Sequence, residues 1–566
     1  MVIMKKKIAL FLALALTLSL CACGGDPSGT GGNFNEANAE LRKKTTEENG
    51  IISMSELTID ESRRSTANTG ERYPYVEFAT SLPPKEWQPY GLKDQAKYYA
   101  RMLIYEFLFD RVGATEYVPR IAKSYTMEDD TNYIIELYDY VTDSAGNAIT
   151  ASDVVFSYNL NAASGYADKF ENYKSAEVVD EYTVRITLKE PISTLDGFFY
   201  MFAYTAIVDE DTYNEEMFSK SPIATGPYVL SEFVTDSYCT FEVNENYWQK
   251  EELRSEYAKQ NVQTIRIDFV TDASMRMIML ENGSSICNPY LTATDIDSFL
   301  KGGEFEGQFT LTTTTNSTST TLLANMSEES IMSDINMRLA CWYALDSAAL
   351  VTALGANAYM ECVVDVAGCI GDYQDAWNDI VSYQSECNLE KAKEYLEKAN
   401  YNGETVKILA GTFDLKKNTA QIVAEMLRQA GINTSIEVVE YVVQEQAVHD
   451  PTRWDIYTDS QMDNDFCINR LYNVYSLDAT YAENGVTKSY IDDPKLQEML
   501  KECSSPDGYS VEKTGEILQY ILDNAYGYAG CYTMSYVAWN KVVAEIHCCY
   551  GMESTPLFSA CEYYLD

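Results

Sequence analysis

The stretch Ile422-Val-Ala-Glu-Met-Leu-Arg-Gln-Ala-Gly-Ile-Asn-Thr-Ser-Ile-Glu-Val-Val-Glu440 decides the fold class. Ile422, Val423, Met426, Leu427 and Ala430 recur at helical spacing and build one apolar face. Gly431 stands where a helix terminator adopts a left-handed backbone. Ile432 to Glu440 then reads as a strand. A helix and a strand joined through one glycine form the pattern of an α/β layer. Leu389, Ala392, Leu396 and Ala399 predict a second amphipathic helix. Upstream, Thr131-Asn-Tyr-Ile-Ile-Glu-Leu-Tyr138 reads as a strand and Asp143-Ser-Ala-Gly-Asn147 as a turn. Thr150 follows as a helix N-cap, and Asp153 completes a capping box ahead of Val154-Val155-Phe156. Thr183 to Leu188 alternates as a further strand. Thr312-Thr-Thr-Thr-Asn-Ser-Thr-Ser-Thr-Thr321 is read as a strand rather than a linker, because it is β-branched and runs into Leu322-Leu323-Ala324.

The chain has 566 residues, with 42 Lys+Arg against 86 Asp+Glu and a formal net charge of −44. Hydrophobic residues at 46% and charged residues at 23% are those of a globular chain with a large core. Nucleic acid is not expected as a partner, because phosphate binding needs a basic footprint. Only two histidines are present, His449 and His547, which leaves little room for a multi-histidine metal centre or a histidine-based triad. No nucleophile elbow or phosphate loop is found, so no catalytic residue, metal or cofactor is expected. Beyond Cys21 and Cys23, twelve cysteines from Cys239 to Cys561 show no regular spacing and no CxxC pair, and Cys341 falls in an apolar helical pattern as a small core residue.

The N-terminus sets an address. Lys5, Lys6 and Lys7 precede an apolar run from Ile8 to Ser19 that is too short to span a bilayer, so residues 1–22 read as a secretory signal. Leu20-Cys21-Ala22-Cys23-Gly24 resembles the bacterial lipobox, which places cleavage after Ala22 and lipid on Cys23. Residues 23–64 begin with a Gly/Ser-rich stretch of low apolar content and read as a flexible tether. Loss of the three lysines takes the charge from −44 to −47, so the acyl chain rather than the surface charge is expected to hold the protein at the membrane.

Several segments, in order, carry a resemblance. They are Tyr105-Glu106-Phe107-Leu108, Val118-Pro119-Arg120-Ile121-Ala122-Lys123-Ser124, Ile149 to Ser157, Thr225-Gly226-Pro227-Tyr228, Asn244-Glu245-Asn246-Tyr247-Trp248, Arg338 to Asp346, Leu389 to Tyr401 and Ala424 to Gly431. Together they resemble the family 5 solute-binding proteins of ABC importers, the oligopeptide- and dipeptide-binding lipoproteins. The resemblance implies an α/β, two-lobed, class II periplasmic-binding-protein-like fold that closes on its ligand as a hinged clamp. Lobe one is expected at 65–290 with an extra subdomain at about 92–205, lobe two at 291–527, and a return to lobe one at 528–566. Tyr228, Trp248 and Asp346 are expected to serve packing and capping rather than ligand binding.

The resemblance also implies a site. In peptide-binding relatives an aspartate of lobe two pairs with the ligand's α-ammonium, as a desolvated cation requires. The matching stretch runs from Trp454 through Asp459-Ser-Gln-Met-Asp-Asn-Asp-Phe466, with Asn464 at the family position and Asp463 and Asp465 beside it. Asp459, Asp463 and Asp465 lack the spacing of a calcium loop, so no metal is expected there. In lobe one, Thr80 and Ser81 at the end of Tyr75 to Leu82 are candidate edge contacts to an extended peptide, and Trp87 is a candidate pocket wall with Tyr90. The expected protein is a non-enzymatic, monomeric receptor on the extracellular face of the bacterial cytoplasmic membrane. It captures a peptide and passes it to ABC permease subunits. The alternatives are another cargo on the same fold (oligosaccharide, nickel chelate, haem or opine) and a peptide sensor without transport.

Overall fold

A computed structural model describes residues 51–566 apart from 54–56, 82, 91–100, 114, 165–169, 194, 290, 292, 356–357, 367, 369, 463–465, 478–488 and 550–551. The signal segment, the Cys23 lipidation site and the start of the tether lie outside the described residues, as do Asp463, Asn464 and Asp465. The chain divides into two units. The first comprises Asn49–Thr314 and Tyr536–Asp566, the second Thr315–Ser535.

In the first unit, β1 (Tyr73–Thr80) belongs to a four-stranded sheet. A separate four-stranded sheet is antiparallel throughout and contains β2 (Ala122–Asp129), β3 (Asn132–Leu137), β4 (Tyr173–Asp180) and β5 (Thr183–Leu188) in the order β2-β3-β5-β4. The first sheet is completed by β6 (Tyr228–Val234), β7 (Tyr238–Val243) and β8 (Val262–Phe269) in the order β1-β8-β7-β6. Strands β1 and β8 are parallel, with Val76 opposite Ile265 and Phe78 opposite Ile267. The period of two sends these four side chains into the core and leaves Tyr75, Glu77, Arg266 and Asp268 on the other face. The second sheet has its own core, in which Ile135, Leu137, Val184 and Ile186 meet Val154 and Tyr158 of α1 (Ala151–Ala163). Helix α1 starts as the sequence predicts, with Thr150 N–H donating to Asp153 Oδ2 at 2.7 Å and the capping box closed.

Four of the resemblance segments meet in one buried knot of the first unit. Arg120 makes bidentate contact with Glu106 and a further contact with Asp110, all three side chains at most 2% exposed. Tyr247 OH donates to Glu106 Oε1 at 2.6 Å, and Glu106 N–H donates to Thr225 Oγ1 at 3.1 Å. Trp248 Nε1 donates to the Thr225 carbonyl at 3.1 Å, and Asn244 Nδ2 to the Gly226 carbonyl at 3.1 Å. Burial pushes the Glu106 carboxyl up against the pull of Arg120. The expected structural roles of Tyr228 (1% exposed) and Trp248 (9%) are what the structure shows.

The C-terminal return closes the first unit. Tyr563 stacks on Tyr73 with ring centroids 4.9 Å apart, and Phe558 lies 4.8 Å from Phe78. His547 Nδ1 is 2.9 Å from Glu256 Oε2, whose other oxygen is 2.8 Å from Lys259. Burial opposes the charged form of Glu256, but these two contacts outweigh it and hold its carboxyl down at about 2. The linked stability is therefore present above the ordinary value of 4.5 and is lost as pH falls toward about 2. Glu256→Gln is expected to lower the thermal midpoint at neutral pH and to match the unsubstituted chain as pH approaches 2. A midpoint difference that stays constant through that acid range would count against the pair.

The chain leaves the first unit in β9 (Thr310–Ala324), the strand predicted from the threonine run. In the second unit, β10 (Thr405–Gly411) lies parallel to both β11 (Asn433–Val439) and β12 (Ile456–Met462), and β12 is antiparallel to β9. The chain returns through β13 (Gly527–Trp539), giving the order β13-β9-β12-β10-β11. Both unit boundaries fall inside strands, at 314/315 in β9 and 535/536 in β13, whereas the sequence placed them near 290 and 527. No turn or glycine marks a crossing made in mid-strand.

Seven α-helices of the second unit lie between β9 and Val511. They are α3 (Ile335–Tyr343), α4 (Ser347–Gly355), α5 (Leu389–Lys398), α6 (Asp414–Gln429), α7 (Tyr441–Ala447), α8 (Cys467–Tyr475) and α9 (Pro494–Cys503), with α10 (Val511–Asp523) after them and α2 (Ala273–Glu281) in the first unit. Helix α6 buries the predicted Ile422, Val423, Met426 and Leu427, and Gly431 has φ +89° as its terminator. Asp346 caps α4 by accepting from Ala349 N–H at 2.9 Å. Helices α2 and α3 start alike: an Asp N-cap (Asp272, Asp334) precedes an arginine four residues on. Arg276 Nη1 donates to the carbonyls of Val270 and Thr271 at 2.7 and 3.0 Å, and Arg338 Nη1 to those of Met332 and Ser333 at 2.7 and 2.9 Å. Cys239, Cys287, Cys341, Cys503, Cys531 and Cys561 are free thiols, and Cys341 is fully buried as expected.

Candidate ligand-binding site

In the first unit the site expectation rests on the outer edge of β1. Successive residues of a strand address opposite edges, and the pattern is visible here. Val270 N–H donates to the Thr80 carbonyl at 2.7 Å, continuing the β8 side of β1. On the outer side, Ile286 N–H donates to the Glu77 carbonyl at 2.8 Å and Ala79 N–H to Ser285 Oγ at 3.3 Å. The edge is thus closed at Glu77 and Ala79. Thr80 is buried with its carbonyl on the β8 side, while Ser81, half-buried, is the bend residue just past the end of β1. Among the described residues the Ser81 backbone forms no hydrogen bond.

Trp87 is placed differently from its sequence reading. Its ring is 1% exposed, in edge contact with Phe233 at 5.5 Å and Phe241 at 5.7 Å, and its carbonyl accepts from Tyr105 OH. A ring this deeply buried is core, so Trp87 offers no wall. A loop tryptophan and a core tryptophan look alike in sequence.

In the second unit, the end of β12 lies beside the stretch of β9 that enters the unit, Met462 facing Thr318. The Asp463–Asp465 segment follows that end. Asp459, three residues from the end of β12, is buried and ion-paired with Lys416 of α6 at 3.6 Å. Asp459 therefore carries its negative charge against a lysine counterion inside the unit. Gln444 of α7 donates to Tyr457 OH beside it.

Helix α8, which follows the Asp463–Asp465 segment, is fixed at both ends of its first turns. Cys467 N–H donates to Asp372 Oδ1 at 2.9 Å, and Tyr509 OH donates to Asp372 Oδ2 at 2.7 Å. Arg470, fully buried, donates to Thr321 Oγ1 at 2.7 Å and Asp365 Oδ1 at 3.1 Å. Sequence reasoning missed Lys416, Asp372, Asp365 and Arg470. Each partner is distant in the chain, and no local pattern announces it.

The order of these motifs, the parallel β10–β11–β12 layer and the antiparallel sheets of the first unit agree with one sequence family. A sequence model of the bacterial extracellular solute-binding proteins, family 5 Middle, matches residues 116–479. The chain belongs to family 5. Members of this family are solute-binding proteins and not enzymes. Heme-binding protein A of Haemophilus influenzae is 25% identical over 371 residues, covering 60% of this chain and 63% of that one. Oligopeptide-binding protein AppA of Bacillus subtilis is 25% identical over 346 residues, covering 55% and 58%. The matched regions thus span about 60% of these curated relatives. Among solved structures, HbpA2 from Haemophilus parasuis superposes with a TM-score of 0.73 at 18% identity, covering 87% of this chain and 100% of that one. That likeness shares the family 5 fold, a mixed α/β periplasmic-binding-protein architecture. Among the described residues no helix is long and apolar enough to cross a membrane.

Proposed function

We propose that this family 5 protein is the lipid-anchored receptor of an ABC importer, capturing peptides outside the cell and delivering them to permease subunits. The backbone of Ser81 at the end of β1, which forms no hydrogen bond among the described residues, carries the reading. A strand edge with an unpaired N–H and C=O is the means by which an extended peptide is bound irrespective of its side chains. Thr80 supports that edge from within, through its carbonyl on the β8 side. In the second unit, Asp463 or Asp465 supplies the carboxylate for the peptide's ammonium, with Asn464 between them. The Cys23 acyl chain holds the receptor as a monomer at the extracellular face of the membrane, since the charge of −47 left after signal cleavage disfavours adsorption to anionic lipid.

Calorimetric titration with a free-amine tetrapeptide and its N-acetyl form tests the reading. Asp463→Asn/Asp465→Asn is expected to weaken the free amine about tenfold or more and to leave the acetylated peptide unchanged. Ser81→Pro, which deletes the edge N–H, is expected to weaken both forms alike. Unchanged affinities in both variants would overturn the assignment. A second reading keeps the receptor role and changes the cargo. It is favoured by Asn464 standing where peptide-binding relatives have aspartate, and by the relative named for haem binding. Haem rather than peptide in native mass spectra of the purified chain would decide for it.

A further inference from the structure

Helix starts in the second unit fall into two groups. Helices α3, α4, α5, α9 and α10 are capped by their own side chains, from Asp334, Asp346, Asn388, Asp493 and Ser510. Helices α6, α7 and α8 have Phe413, Glu440 and Phe466 at the N-cap and no side-chain cap hydrogen bond from them. The second group is the set that follows the three parallel strands β10, β11 and β12. In open α/β sheets the carboxyl ends of such strands are where ligands bind. For α8 the missing cap is replaced from outside by Asp372.

Phe413 departs from local preference twice. A phenylalanine at the N-cap forgoes the hydrogen bond that Ser, Thr, Asp or Asn would make, at the start of the 16-residue helix α6. Its ring is also 63% exposed, and it is the only phenylalanine so exposed among the described residues. Among the described residues it stacks on no other ring. Nothing in the backbone requires it: φ −57° and ψ 133° suit a serine, and the first helical hydrogen bond, Lys417 N–H to the Phe413 carbonyl, is a normal 3.0 Å. Local rules broken at one position without a packing gain mark functional residues. Strand β10 is parallel to β12 and β11, so the turn bearing Phe413 lies at the carboxyl end of this parallel layer.

We infer that Phe413 is a specificity-determining ligand contact, whose ring covers an aromatic or bulky apolar group of the bound solute. The inference rests on the peptide reading above and narrows it to peptides with such a side chain. Burial of an exposed ring against a ligand is favourable in proportion to the apolar area removed from water, and aromatic pairs add to that.

The test uses the full chain with a pool of synthetic tetrapeptides, half built from Ala, Gly and Ser and half carrying one Phe, analysed by native mass spectrometry. The unsubstituted chain is expected to enrich the Phe-bearing half about tenfold. Phe413→Ala and Phe413→Ser are expected to lose that preference while retaining the aliphatic half. Phe413→Ser should also raise the thermal midpoint by about 2 °C, because it restores a cap and removes an exposed ring. Unaltered enrichment in both variants, a chain that binds both halves equally, or a lowered midpoint in Phe413→Ser would each overturn the inference and leave peptide binding standing. A chain that binds neither half overturns both.

Discussion

Arg120→Met is expected to lower the unfolding free energy by about 3–5 kcal/mol, because it strands the Glu106 and Asp110 carboxylates where water does not reach. The ion pairs are not themselves strongly stabilising, since desolvation of three charges offsets much of their attraction. The loss comes from the asymmetry of removing one partner only. Tyr247 OH (2.6 Å) still donates to Glu106 in the variant, but one neutral hydroxyl does not replace a bidentate guanidinium. Adding Glu106→Gln and Asp110→Asn to Arg120→Met should recover part of the deficit, because the remaining groups are then uncharged. Urea unfolding followed by circular dichroism measures both. A loss below about 1 kcal/mol for the single variant would show that the carboxylates are served by water or by other donors.

Gly226→Ala is expected to be more damaging still, with the chain accumulating as insoluble protein. A Cβ there would lie 2.4 Å from the Ile104 carbonyl carbon and 2.6 Å from the oxygens of Ile104 and Leu103. All three are backbone atoms, so no rotamer change relieves the clash. The Gly226 N–H also donates to the Ile104 carbonyl at 2.8 Å, which ties the two segments at contact distance. Displacing them would break the knot around Thr225 and Glu106, placing the cost above about 4 kcal/mol. Gly146→Ala is the control. It has φ +89° but open space around the added methyl, so about 1 kcal/mol of backbone strain is all it should lose. A soluble Gly226→Ala chain with an unshifted thermal midpoint would refute the steric account.

The motif segments at 105–108, 118–124, 225–228 and 244–248 were legible through their resemblance, in order, to family 5. Their joint purpose was not. Glu106 and Tyr247 meet across 141 residues, and periodicity carries no information at that range. Helix α6 and the strands around it were legible from the 3.6- and 2-residue periods and from Gly431. The crossings inside β9 and β13 were not, since a β-branched run looks the same whether it stays in one unit or passes between two. At the site, Thr80 and Ser81 could be named from the strand, but which of them has its backbone paired depends on register. Trp87 shows the limit most clearly, because burial is a property of what surrounds a ring. Phe413 left no signal at all: its exposure and its place at the N-cap exist only once β10 and α6 are assembled.

The antiparallel sheet of the first unit begins and ends at one doorway. Leu108 and Ile207 both belong to its core, and Glu106 is bridged to Ile207, whose N–H donates to the Glu106 carbonyl at 3.0 Å. The hundred-odd residues between these points are thus a module spliced into the chain at a single seam. What makes it permanent here is the host: Tyr247 and Trp248, far downstream, fill the module's core and tie it to the knot at Arg120. Excision would leave that pair of rings without a home, so the insertion has become a dependency of the body that carries it.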